Sequence, residues 1–205
     1  MPGRILQTDA FVLLRRPPAD TFQSFSVFSP EHGGLFVLQR IPKKPAPGSQ
    51  PLDLFDEVSL QLESSNQGQT WFVREARVQE RHAAIGRSYD ALRFASALAG
   101  VVARNPVPEE SRLQVGALLR AAFTAFGTSA RPDIVFFKGL YCFARDEGYP
   151  VKQEWAAALP ANDRSQVAVL LNQPLSAQSA PEAEVSRLQR LLEDYLRGHT
   201  EVLLD

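Results

Sequence analysis

An α+β chain, strands first and helices after, is predicted from three observations. Apolar residues recur with a period of two up to about residue 82, and in steps of three and four beyond it. Clusters of proline, glycine, serine and asparagine interrupt the first part at short intervals, as turns between strands do. In the second part, Pro108-Glu109-Glu110 and Pro132-Asp133 put a proline and acids where the first turn of a helix favours them. The expected domains are residues 1–82 and 83–205.

The first part reads as five strands. Phe11-Val12-Leu13-Leu14 closes the first, which Arg15-Arg16-Pro17-Pro18 ends. Phe22 to Ser29 alternates aromatic and small residues and forms the second. Ser29-Pro30-Glu31-His32-Gly33-Gly34 is a turn, and Leu35-Phe36-Val37-Leu38 begins the third strand. Together these predict an antiparallel meander. Residues 41–51 hold Pro42, Pro45, Pro47 and Pro51; without their backbone donors this segment is an exposed loop. Phe55 to Glu63 and Thr70 to Val78 supply the fourth and fifth strands, separated by the turn at 64–68. Five short strands in so few residues predict a small closed barrel of the oligonucleotide/oligosaccharide-binding (OB) type.

The second part is read as an all-helical domain. Tyr89, Leu92, Ala95, Ala99 and Val102 form a first apolar stripe, and Val115 to Phe126 a second. Ile134 to Arg145 is apolar on nearly every side, so it is expected at the centre, with Gly148 and Pro150 ending it. Shorter helices are expected at Val151–Leu159 and Arg164–Leu171. Ser179 and Glu182 have the spacing of a capping box for the last helix, whose stripe is Val185, Leu188, Leu192, Tyr195 and Leu196.

Composition excludes several classes. The chain of 205 residues holds 22 Lys and Arg against 23 Asp and Glu, so it is not basic as a whole. Its one cysteine, Cys142, forms no internal disulfide and builds no cysteine zinc site, which suits a reducing cytoplasm. No apolar run is long enough to span a membrane. No signal peptide is expected, and the mature chain is expected to start near Met1. Phosphate-loop, dinucleotide, nucleophile-elbow and zinc-protease motifs are all missing, so no enzymatic activity, cofactor, metal or small-molecule substrate is expected. His32, His82 and His199 are scattered and read as exposed or capping residues. Cys142, in an apolar helix with no histidine nearby, reads as a small core residue.

One local patch remains. Residues 1–48 carry six basic side chains, Arg4, Arg15, Arg16, Arg40, Lys43 and Lys44, against three acids. In a meander the first and third strands run the same way, so Arg15, Arg16 and Arg40 reach the same end of the barrel, where the loop with Lys43 and Lys44 begins. A cationic rim of this kind suits a phosphate backbone, and Phe22, Phe25, Phe36 and Trp71 are aromatic residues that either stack on bases or fill the core. The candidate nucleic-acid-binding residues are therefore Arg15, Arg16, Arg40, Lys43 and Lys44.

The order of these segments resembles the RecO family, the bacterial recombination mediators of DNA repair. The opening "TDAFVLLRRPPADTFQSFSVFSPEHGGLFVLQR", the basic segment Ile41-Pro42-Lys43-Lys44-Pro45, the stretch "FFKGLYCFARDEGYP" and the ending "RLQRLLEDYLRGHTEVLL" carry the likeness across nearly the whole chain. The resemblance implies an OB barrel followed by a helical domain. It also implies binding to single- and double-stranded DNA and strand annealing. The implied partners are a RecR-like protein and single-strand-binding protein, with assistance in loading the RecA recombinase. The acidic, aromatic-ended tail of single-strand-binding protein would need a basic-rimmed apolar groove, for which Arg104, Arg112, Arg120 and Lys152 are candidates. The family's four-cysteine zinc module has no counterpart, since Gln153-Glu154-Trp155 follows Gly148-Tyr149-Pro150. The alternative is a protein-interaction adaptor that keeps the barrel and the helices but not DNA binding.

Overall fold

The structure, a computed structural model, describes residues 4–19, 21–42, 51–64 and 70–204. Five strands come first: β1 (Ile5–Arg15), β2 (Phe22–Ser29), β3 (Gly33–Arg40), β4 (Glu57–Ser64) and β5 (Trp71–Glu80). Among the described residues six α-helices follow: α1 (Tyr89–Arg104), α2 (Arg112–Thr128), α3 (Pro132–Asp146), α4 (Ala156–Ala158), α5 (Ala161–Asn172) and α6 (Glu182–His199). The α+β order, β then α, is thus present. No helix among the described residues is long and apolar enough to cross a membrane.

The chain divides into two compact units. The first comprises residues 1–82 together with Pro106–Gly116, and the second comprises Ala83–Asn105 and residues from Ala117 onward.

In the first unit the strands close on themselves in the order β1-β2-β3-β5-β4, because β1 pairs with both β2 and β4. The pairings are antiparallel except one. The first three strands form the expected meander, but β5 lies parallel to β3, with Val37 opposite Trp71 and Leu38 opposite Phe72. Period-two patterning fills the barrel: Ala10, Val12, Phe25, Val27, Val37, Val58, Leu60, Leu62 and Trp71 form its core. Ser59 and Gln61 alternate with the last three of the aliphatic set and lie on the other face of β4. One polar pair is built into the interior, where the hydroxyls of Thr8 and Ser29 share a 2.7 Å hydrogen bond. Ser29 Oγ also accepts from the backbone of Glu31 and His32 at 3.1 Å, which shapes the β2–β3 turn. Segment 106–116 joins this unit through Arg112, whose Nη1 donates to the Glu31 carbonyl at 3.1 Å.

In the second unit α3 is the most enclosed helix, with Ile134, Val135, Phe136, Phe137, Leu140, Tyr141, Phe143 and Ala144 all buried. It ends in a glycine cap: Gly148 has φ 87°, Tyr149 N–H donates to the Ala144 carbonyl, and Gly148 N–H donates to that of Arg145.

Four expectations need correction. Of the expected α1 stripe, Ala95, Ala99 and Val102 are buried together with Ala91, Phe94, Leu98 and Val101, whereas Tyr89 is 79% exposed and Leu92 is also exposed. The buried stripe is turned by less than a quarter turn, from Tyr89 and Leu92 towards Ala91, Phe94 and Leu98. The Ser179–Glu182 capping box does not form. Pro181 is the N-cap of α6 and no side chain caps it. Proline disfavours helical dihedrals in the residue before it, and the Ala180 carbonyl is taken by Arg131 Nη1 at 2.7 Å. The helix expected at Val151–Leu159 opens instead as a wide π-type turn, Val151–Trp155, before the short α4. His82 is buried, not exposed, with Nδ1 4.0 Å from the Glu80 carboxylate.

Candidate nucleic-acid interface

Strand direction decides which cations meet. β1 and β3 run the same way because both are antiparallel to β2, and β5 runs with them because it is parallel to β3. All three therefore end at one end of the barrel. Each stops at an arginine: Arg15 is the last residue of β1, Arg40 the last of β3, and Arg81 follows β5 directly. These three guanidinium-bearing residues line one groove of about 500 Å³, together with Gln23, Gln39, Phe25 and Leu52.

The segment before β4 forms the wall of this groove. The Asp56 carboxylate is fully buried and accepts from Arg81 Nε at 3.0 Å and Nη2 at 2.8 Å, and from Asp53 N–H at 2.9 Å. These hydrogen bonds and the adjacent negative charge raise the Arg81 guanidinium above its usual pKa, despite some desolvation. Arg81 Nη2 also donates to the Pro51 carbonyl at 2.8 Å. Phe55 takes a positive φ of 67°, costly for a residue with a side chain, and is held there by Phe55 N–H to Val12 carbonyl and Val12 N–H to Asp56 carbonyl bonds.

Beside the groove lies an aromatic face. The register puts Ser24 opposite Leu38, Ser26 opposite Phe36 and Phe22 opposite Arg40, while Leu38 meets Phe72 on β5. Since paired residues share a face, Phe22, Phe36, Leu38 and Phe72 stand together on the outside of β2, β3 and β5. The Phe22 and Phe72 rings are 5.5 Å apart and tilted by 59°. The Arg16 guanidinium lies over the Phe36 ring at 5.2 Å. Each of the three rings is half-buried, so an edge or face of each meets solvent.

The sequence candidates therefore separate. Arg15 and Arg40 line the end groove, and Arg16 belongs to the aromatic face. Lys43 and Lys44 lie outside the described residues. Phe22 and Phe36 are on the outer face, while Phe25 and Trp71 are core residues, 1% and 7% exposed. Arg81 and Phe72 were not among the candidates. The Trp71-Phe72 pair carried a signal for an aromatic, but only the register says which of the two faces outward.

The helical unit has a groove of its own, about 540 Å³, between α3, the turn before α4, and α5. Its lining carries Lys138, Arg145, Lys152 and Arg164 and includes the buried Tyr141 and Val167 beside Ala156 and Leu171. Of the four cations proposed for such a groove, Lys152 lines it and Arg104, Arg112 and Arg120 do not. Lys138 Nζ donates to the Gln173 carbonyl at 2.7 Å, and burial lowers its pKa from the usual lysine value. Cys142 is partly buried in this wall, and burial pushes its thiol pKa up, away from the reactive thiolate. Among the described residues no three His, Cys, Asp or Glu side chains converge to hold a metal ion. No family model and no curated protein matches the chain.

Proposed function

We propose that the chain is a recombination mediator of the RecO type, whose barrel is of the OB type and binds single-stranded DNA. The observation that carries this reading is the aromatic face of β2, β3 and β5 with Arg16 over Phe36 and Arg40 at its edge. Stacking on such a face is sequence-tolerant, because every base has a π-surface, and the guanidinium groups neutralise the phosphates that follow. The closed five-stranded order and the position of the cations on the β2–β3 side support the OB assignment. Duplex binding and strand annealing follow from the same neutralisation of phosphate repulsion. The protein works in the cytoplasm and uses no catalytic step.

The partners in this reading are a RecR-like protein and single-strand-binding protein, with RecA loading as the outcome. The helical groove supports the second partner: four cations line it together with apolar side chains, which suits an acidic segment with an apolar end. That same groove favours the alternative reading, an adaptor without DNA affinity.

Fluorescence anisotropy with a labelled single-stranded oligonucleotide separates the two. The intact protein is expected to bind at low salt, and Phe36→Ala/Phe72→Ala to weaken binding by about tenfold or more per ring. Absence of binding at low salt overturns the mediator reading and leaves the adaptor.

A further inference from the structure

We infer that the groove at the barrel end takes the terminal phosphomonoester of a nucleic-acid strand, so that strand ends are held in preference to strand interiors. The inference rests on the single-strand reading above and concerns a different surface of the same unit. The aromatic face presents part of the Phe22, Phe36 and Phe72 rings to solvent. The end groove is backed by the packed core of the barrel. Its floor is Phe25 and Leu52, 1% and 2% exposed, so the barrel interior behind it is filled. Its wall is the segment pinned by Arg81, Asp56 and Val12. A strand cannot pass through the barrel at this point, and a strand end reaches Arg15 and Arg40 at the mouth of the groove.

Arg40 and Arg15 are the cations of the groove that an anion can reach, with Asp53 beside Arg15. Arg40 is exposed and stands in register with Phe22, so it joins the aromatic face to the groove. Arg15 meets Asp53 at 3.6 Å, with both side chains at least half exposed. A water-screened pair of that kind is weak, and a phosphate can displace it. Arg81 has its charge balanced by Asp56 and serves to hold the wall in place. A terminal phosphomonoester carries close to two charges at neutral pH, against one for an internal diester. The groove therefore gains more from an end than from a backbone phosphate, and the adjoining rings stack the last bases.

The experiment compares four single strands of one sequence: hydroxyl-ended, 5′-phosphorylated, 3′-phosphorylated and closed circular. The expected result is that at least one phosphorylated end binds about threefold or more tighter than the hydroxyl end and the circle. Arg15→Ala, which leaves the aromatic face and Arg40 in place, is expected to reduce that difference while the circle binds as before. Phe36→Ala/Phe72→Ala is expected to weaken all four. Equal affinity for phosphorylated and hydroxyl ends, with the circle bound, overturns the inference and leaves the single-strand reading standing. Failure to bind any of the four overturns both.

Discussion

Asp56 is a carboxylate with no exposed surface and three donors, Arg81 Nε, Arg81 Nη2 and Asp53 N–H. A buried carboxylate so placed holds three things at once: the end of β5, the wall of the groove and the approach to β4. Replacing it with alanine strands the donors and the Arg81 charge. Asp56→Ala is expected to destabilise the protein by about 2 kcal/mol, less than a fully buried pair because the Arg81 side chain is 38% exposed. Urea unfolding checks this, and a change within about 0.5 kcal/mol would show that the pair is decorative. Legibility at this scale was uneven. Arg15 and Arg40 stood out in the sequence because each follows a short apolar run that reads as a strand. Arg81 did not, because its place beside Arg40 depends on β5 running parallel to β3, a long-range pairing of only two residue pairs, Val37 with Trp71 and Leu38 with Phe72.

Among the elements, the contact of α1 with α3 is the tightest test of helix packing. At Gly139 of α3 an added Cβ would lie 2.9 Å from Leu98 Cδ2 of α1. The helices approach this closely because glycine presents no side chain, and Leu98 occupies the space. Gly139→Ala forces Leu98 from its rotamer and is expected to cost about 1–2 kcal/mol, measured as a lower denaturant midpoint with an unchanged slope. An unchanged midpoint would mean that Leu98 moves freely. The strands and the longer helices were readable because their apolar periods extend over several turns or pairs. The start of α6 was not: Ser179 and Glu182 have capping-box spacing, yet Pro181 and the bond from Arg131 to the Ala180 carbonyl move the start to Glu182. The π-type turn at Val151–Trp155 likewise shows a helical composition with a wider winding.

At the scale of the molecule, charge is local. The formal net charge of −1 gives no long-range attraction to DNA, so any electrostatic affinity comes from the few cations beside the aromatic face and groove. About three phosphate contacts correspond to a slope of about −2 in log affinity against log salt for a single strand. A titration over a range of salt concentrations measures this. A slope steeper than about −5 would require a far larger cationic surface than the barrel unit presents.

The amino-acid sequence by itself determined the order of strands and helices, the span of most of them, and the concentration of arginine at strand ends. These follow from side-chain periodicity and from proline and glycine, which act within a few residues. The tertiary structure decided which aromatics face solvent, that Arg81 joins Arg15 and Arg40, that His82 is buried, and that four helical-unit cations line one groove. Those outcomes depend on register and strand direction between segments distant in sequence, where a shift of one residue turns a side chain from the core to the surface.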